Sequence, residues 1–71
     1  MDIPILNQGN KLMLPDLKDT KEILICNAIG ETISRVKPHP EISLELLPEG
    51  FYLVYAIDKE EGKTLIGTIL K

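Results

Sequence analysis

The apolar residues of this chain come in short blocks closed by glycine, proline or asparagine. They alternate or fill both parities rather than following the 3.6-residue period of a helix. Lys11-Leu12-Met13-Leu14-Pro15 is the first predicted strand. The turn-rich Asn7–Asn10 precedes it, with Gly9 suited to a positive φ, and Pro15, which has no N–H for a ladder, ends it. Asp16–Lys21 is polar and reads as a loop. Ile23–Cys26 is apolar on both parities, as in a strand covered on both faces or central in a sandwich. In Asn27-Ala28-Ile29-Gly30 the asparagine opens a tight turn and the glycine takes its left-handed position. Glu31–Val36 returns as the partner strand, and a bulge would reconcile Ile33 and Val36, which break its alternation.

Pro38-His39-Pro40 forces extended backbone. Beyond it, Ile42, Leu44 and Leu46 alternate with Ser43 and Glu45, which predicts a strand with one dry face. Leu47-Pro48-Glu49-Gly50 is a turn with Pro48 at its first corner. Phe51–Ile57, seven consecutive apolar residues, is the strongest strand and is expected at the centre of a sheet. Asp58–Gly62 loops into the closing strand Lys63–Leu70. There Leu65, Ile66, Ile69 and Leu70 occupy both parities, so at least one pair should be buried. The five glycines read as punctuation between strands. Tyr52 and Tyr55 fall on opposite faces of one strand, so one of them should point outward. Short strands at this spacing predict a single all-β domain over residues 1–71, an antiparallel sandwich or barrel with little or no helix. Only Ile23–Ile33 partly offers a helical pattern, and Gly30 interrupts it.

With 71 residues, no tryptophan, one phenylalanine and two tyrosines, the core must be aliphatic. Eight basic and eleven acidic residues are scattered along the chain for a net charge of −3. A nucleic-acid binder needs a concentrated basic face, so nucleic acid is not the expected partner. No apolar run reaches the roughly 18 residues of a spanning helix, and no membrane insertion is expected. Met1–Asn7 lacks the basic and apolar regions of a signal peptide. The location expected is therefore cytoplasmic if Met1 is the true start, and secreted or at the cell surface if the chain is the end of a longer exported protein.

Chemistry-bearing residues are few. Cys26 and His39 are the only thiol and imidazole. Cys26 lies inside an apolar strand, where cysteine behaves as a small buried hydrophobe, and no cationic cluster activates it. One Cys and one His cannot build a tetrahedral metal site. Asp58, Glu60 and Glu61 lack the alternating ligands of a calcium loop and read as a solvated turn. Phosphate-binding and nucleophile-elbow glycine motifs are absent from the sequence. The expectation is a non-enzymatic domain with no catalytic residue, metal or cofactor.

The order of Glu22–Gly30, Ile42–Val54 and Gly62-Lys63 resembles the C-terminal sorting domain of proteins exported by the type IX (Por) secretion system of Bacteroidetes. Asn27 and Gly30 match its first glycine turn. Ile42, Leu44, Leu47, Gly50, Tyr52 and Val54 match its second motif, and Gly62, Lys63, Ile69 and Lys71 match its last. Cys26 replaces an aromatic, and Ile5-Leu6-Asn7 with Lys11–Leu14 stands without the prolines of the family's opening motif. The resemblance implies a small immunoglobulin-like β-sandwich of about six to seven short strands. Such a domain is an address tag read by the outer-membrane export machinery and then removed by a sortase-like protease as the cargo is attached to surface lipopolysaccharide. On this basis Lys63, Leu65, Ile69 and Lys71 are the expected recognition residues, while Asn27, Gly30, Pro48, Gly50 and Gly62 are structural turn positions. The closing strand is expected at a sheet edge, where unpaired backbone groups offer a route to another chain or to self-association. The alternative expectation is a stand-alone interaction or adhesion module binding another protein or itself.

Overall fold

The computed structural model describes residues 3–15 and 17–71. Asp16, at the start of the expected loop, lies outside them, as do Met1 and Asp2. The chain forms β1 (Asn7–Gln8), β2 (Lys11–Met13), β3 (Thr20–Asn27), β4 (Thr32–Val36), β5 (Glu41–Ser43), β6 (Phe51–Asp58) and β7 (Lys63–Leu70), with no helix among the described residues. One sheet has the order β1-β2-β5 and the other β4-β3-β6-β7. All neighbouring strands in both sheets are antiparallel. Taken as A-B-E and C′-C-F-G, this is an immunoglobulin-like strand order, and Tyr52 completes the tyrosine corner of that arrangement. Its hydroxyl, at the start of the sixth strand, donates to Pro48 O at 2.6 Å.

Local sequence sets the hairpins. Asn27 closes the β3–β4 turn with both ends of its residue. Its N–H donates to Glu31 O at 2.9 Å, its carbonyl accepts from Gly30 N–H at 3.0 Å, and its Oδ1 accepts from the N–H of Ile29 and Glu31. Gly30 sits at φ +92°, where a side chain would be strained. The register passes from Ile25↔Ser34 to Cys26↔Thr32, so Ile33 is the extra residue of a bulge. That bulge turns Val36 inward although Ile33 remains exposed.

Leu12, Ile23, Ile25, Leu44, Tyr52, Val54, Ala56 and Ile69 meet between the sheets. They are aliphatic apart from the one tyrosine, whose ring is buried while its hydroxyl is satisfied at the corner. β6 lies between β3 and β7, as its unbroken apolar run requires.

Two sequence expectations change around β5. The strand ends at Ser43, and Leu46, expected on its dry face, is 99% exposed. The hydrogen-bonded turn comes earlier than Pro48: Leu47 N–H donates to Leu44 O at 3.0 Å. Turning there points Leu44 and Leu47 into the core and leaves Leu46 outside, a spacing of three that the alternating pattern concealed.

Candidate functional site

β7 begins at a tight hairpin. Asp58 Oδ1 accepts from the N–H of Glu60 at 2.9 Å and of Gly62 at 2.7 Å. A Cβ on Gly62 would lie 2.5 Å from Asp58 Oδ2, so any other residue here would have to displace the Asp58 carboxylate that caps the turn. The left-handed residue of the hairpin is its neighbour Glu61, at φ +68°. The Glu61 carboxylate accepts from Lys21, and this hydrogen bond raises the pKa of that exposed ammonium above its ordinary value. The Asp58 and Glu61 side chains are thus occupied with turn N–H groups and a lysine. Among the described residues no three His, Cys, Asp or Glu side chains gather to hold a metal ion.

Residues of β7 part to opposite faces of the four-stranded sheet, with one register shift, between the pairs Val54↔Gly67 and Tyr55↔Leu65, where Ile66 is the extra residue. Ile69 lies opposite Tyr52 and is completely buried between the sheets. Leu65 lies opposite Tyr55 on the outer face and is half-buried. The exposed Lys63 reaches the same face, with its ammonium 4.3 Å from the centre of the Tyr55 ring, a cation–π contact. Lys71 turns away. Its Nζ donates to Leu44 O and, at 2.6 Å, to Leu47 O, and its backbone exchanges hydrogen bonds of 2.9 and 3.0 Å with Gly50. Of the four expected recognition residues, Lys63 and Leu65 therefore share a surface. Ile69 belongs to the core, and Lys71 clamps the β5–β6 connection. Pro48 and Gly50 serve that same connection, as the Tyr52 acceptor and the Lys71 partner.

The outer face is apolar at its centre. Leu24, Cys26 and Ile57 are buried there, with Leu53 and Tyr55 packed against them. Cys26 Sγ lies 3.9 Å from Thr32 Oγ1, while His39, on the β4–β5 crossover, has Nδ1 2.8 Å from Glu41 O. The structure thus gives the thiol and the imidazole separate partners. On the β4 side the Arg35–Glu22 ion pair, at 2.7 Å, borders the apolar centre. Toward the end of β7 the surface stays apolar and opens to solvent: Phe51 and Leu70 face each other across β6 and β7, 45% and 60% exposed.

The sequence reading missed the segment that flanks β7. Pro4–Leu6 runs beside its last residues, with Ile5 in a parallel bridge to Thr68. Leu6 seats over Gly67, where a Cβ would meet Leu6 Cγ at 2.4 Å. Gly67 is therefore not punctuation between strands. A glycine inside a strand marks a close approach of other atoms, and that was the signal available in the sequence. No protein-family model, curated protein or solved structure matches the chain.

Proposed function

We propose that this chain is a non-catalytic recognition domain, read by the type IX export machinery as a sorting address. The observation carrying this reading is the outer face beside β7. Phe51, Leu70 and the parallel-bridged Ile5 present exposed apolar side chains next to the closing strand, continuous with the Leu53–Tyr55 cluster, and apolar patches of this kind are characteristic of protein-binding surfaces. The motif order of the sorting family supplies the identity of the reader. The second reading is a stand-alone interaction module that uses the same face toward another protein.

The test fuses residues 1–71 behind a signal-bearing reporter in a host with type IX machinery, beside the same fusion carrying Phe51→Lys and Leu70→Lys. Both positions are exposed, so the variant should fold. Surface display of the parent with retention of the variant in the periplasm is the expected result. Retention of the parent would reject the sorting role, and equal display of both would reject the face.

A further inference from the structure

The two sheets meet along two sides of the sandwich, and the chain treats them differently. Beside β1 and β7 the N-terminal arm closes the gap: Leu6 N–H donates to Thr68 O, and Leu6 O accepts from Met13 N–H. Beside β4 and β5, the outermost strands at the other end, no strand among the described residues pairs with either outer edge. The sheets part there over a cleft of about 210 Å³, walled by the apolar side chains of Ile25, Val36, Ile42, Leu44 and Leu47 together with two serines. An apolar cavity of about 150 Å³ already admits a benzene-sized group, so this cleft has room for an isobutyl side chain. Leu46 stands at its mouth, 99% exposed. This leucine is not carried on a loose loop. Leu47 N–H donates to Leu44 O at 3.0 Å, and Lys71 Nζ donates to the carbonyls of Leu44 and Leu47. The turn is therefore held in place before any partner arrives, which lowers the ordering cost of docking.

We infer that the cleft and Leu46 are two halves of one self-complementary surface, and that its occupant is a second copy of this chain. Charge favours a second copy. Exposed Lys37 follows Val36 at one corner of the cleft, exposed Glu45 precedes Leu46 at the diagonally opposite corner, and among the described residues neither makes an ion pair. The diagonal follows from the topology: β5 starts where β4 ends, after the crossover of residues 37–40, and carries the chain back toward Leu46. A two-fold axis crossing the cleft between those corners places Leu46 of each copy against Val36 and Ile42 of the other, both half-buried, and Glu45 beside Lys37. Each contact then occurs twice, as an isologous interface requires. The pairing also removes from water the most exposed leucine of the described residues. It uses the β4–β5 side and leaves Phe51 and Leu70, toward the β6–β7 end, open, so it goes beyond the recognition reading and does not depend on it.

A patch of this size belongs with weak, transient contacts, so a dimer with a Kd of about 0.1–1 mM is expected. Sedimentation equilibrium of residues 1–71 from micromolar to millimolar concentration reads it, beside amide spectra over the same range. The parent should dimerise, with shifts concentrated at residues 34–37 and 41–47. Leu46→Glu should stay monomeric, and because the position is exposed the variant should keep its fold. Lys37→Glu and Glu45→Lys should each self-associate at least about ten-fold more weakly, because like charges then meet twice. An equimolar mixture of these two variants should dimerise as the parent does, since both contacts between unlike copies again join opposite charges. A parent that is monomeric at millimolar concentration gives the cleft to a foreign chain and overturns the inference. So does dimerisation of folded Leu46→Glu at parental strength, or a mixture no more associated than its components. Loss of the dimer in Phe51→Lys with Leu70→Lys, but not in Leu46→Glu, assigns the contact to the outer face of β6 and β7 and overturns it as well.

Discussion

Leu6 occupies the space that a side chain at position 67 would need: an ideal Cβ on Gly67 falls 2.4 Å from Leu6 Cγ and 2.5 Å from its Cδ1. Leu6 also ties the two sheets together, since its N–H donates to Thr68 O in one and its carbonyl accepts from Met13 N–H in the other. One residue with no side chain therefore decides how the chain enters the sandwich.

Gly67→Ala should expel the arm or strain it, at a cost of about 1–3 kcal/mol, the range for overpacking a filled site. The Thr68 amide should lose its protection against hydrogen exchange, while the amides of β3 keep theirs. Adding Leu6→Ala should recover part of the loss, because the second substitution frees the space. A Gly67→Ala protein with parental stability and Thr68 protection would show that the contact is not held in solution.

The closing strand separates core from surface residue by residue. Ile69, with no exposed surface, should cost about 2–5 kcal/mol when replaced by alanine, through lost transfer energy and a residual cavity. Its exposed neighbour Leu70 should change stability by no more than about 0.5 kcal/mol on the same replacement. Urea denaturation midpoints check both, and similar losses at the two positions would contradict the alternation of β7.

Tyr52→Phe keeps the buried ring and removes the hydroxyl that donates to Pro48 O at 2.6 Å. A loss of about 0.5–1.5 kcal/mol is expected, the net value of a neutral hydrogen bond. The amides around the Leu44–Leu47 turn should show the largest change in exchange rate, since the corner fastens that connection to β6.

Lys71→Met retains an apolar stem but removes the ammonium that donates to the carbonyls of Leu44 and Leu47. Charge-assisted bonds of this kind contribute about 1.5–3 kcal/mol, so thermal denaturation should shift downward and cleavage near Leu46 by a protease should accelerate. Lys71→Arg should recover part of both effects. Unchanged melting in Lys71→Met would leave the terminal lysine free for recognition, in keeping with its place in the sorting motif.

Much of the secondary structure was legible because neighbouring residues decide it. The unbroken apolar run Phe51–Ile57 can be satisfied only between other strands, and it became the centre of a sheet. Asn27 and Gly30 fix their turn through backbone geometry and a side chain acting within four residues. The broken alternation at Ile33 marked the bulge before any partner strand was known. Tertiary structure alone decided which apolar residues of β7 meet the core: the register shift opposite Val54 and Tyr55 leaves Ile66 and Ile69, three apart, packed against it, a choice among four equally apolar residues that depends on what lies across the sheet. It also decided that Lys71 clamps carbonyls more than twenty residues away, and that Leu46 is expelled where Leu44 and Leu47 both turn inward. The seating of Leu6 on Gly67 joins residues from opposite ends of the chain. No local periodicity records such a contact, since its energy comes from packing that exists only after the two sheets have closed.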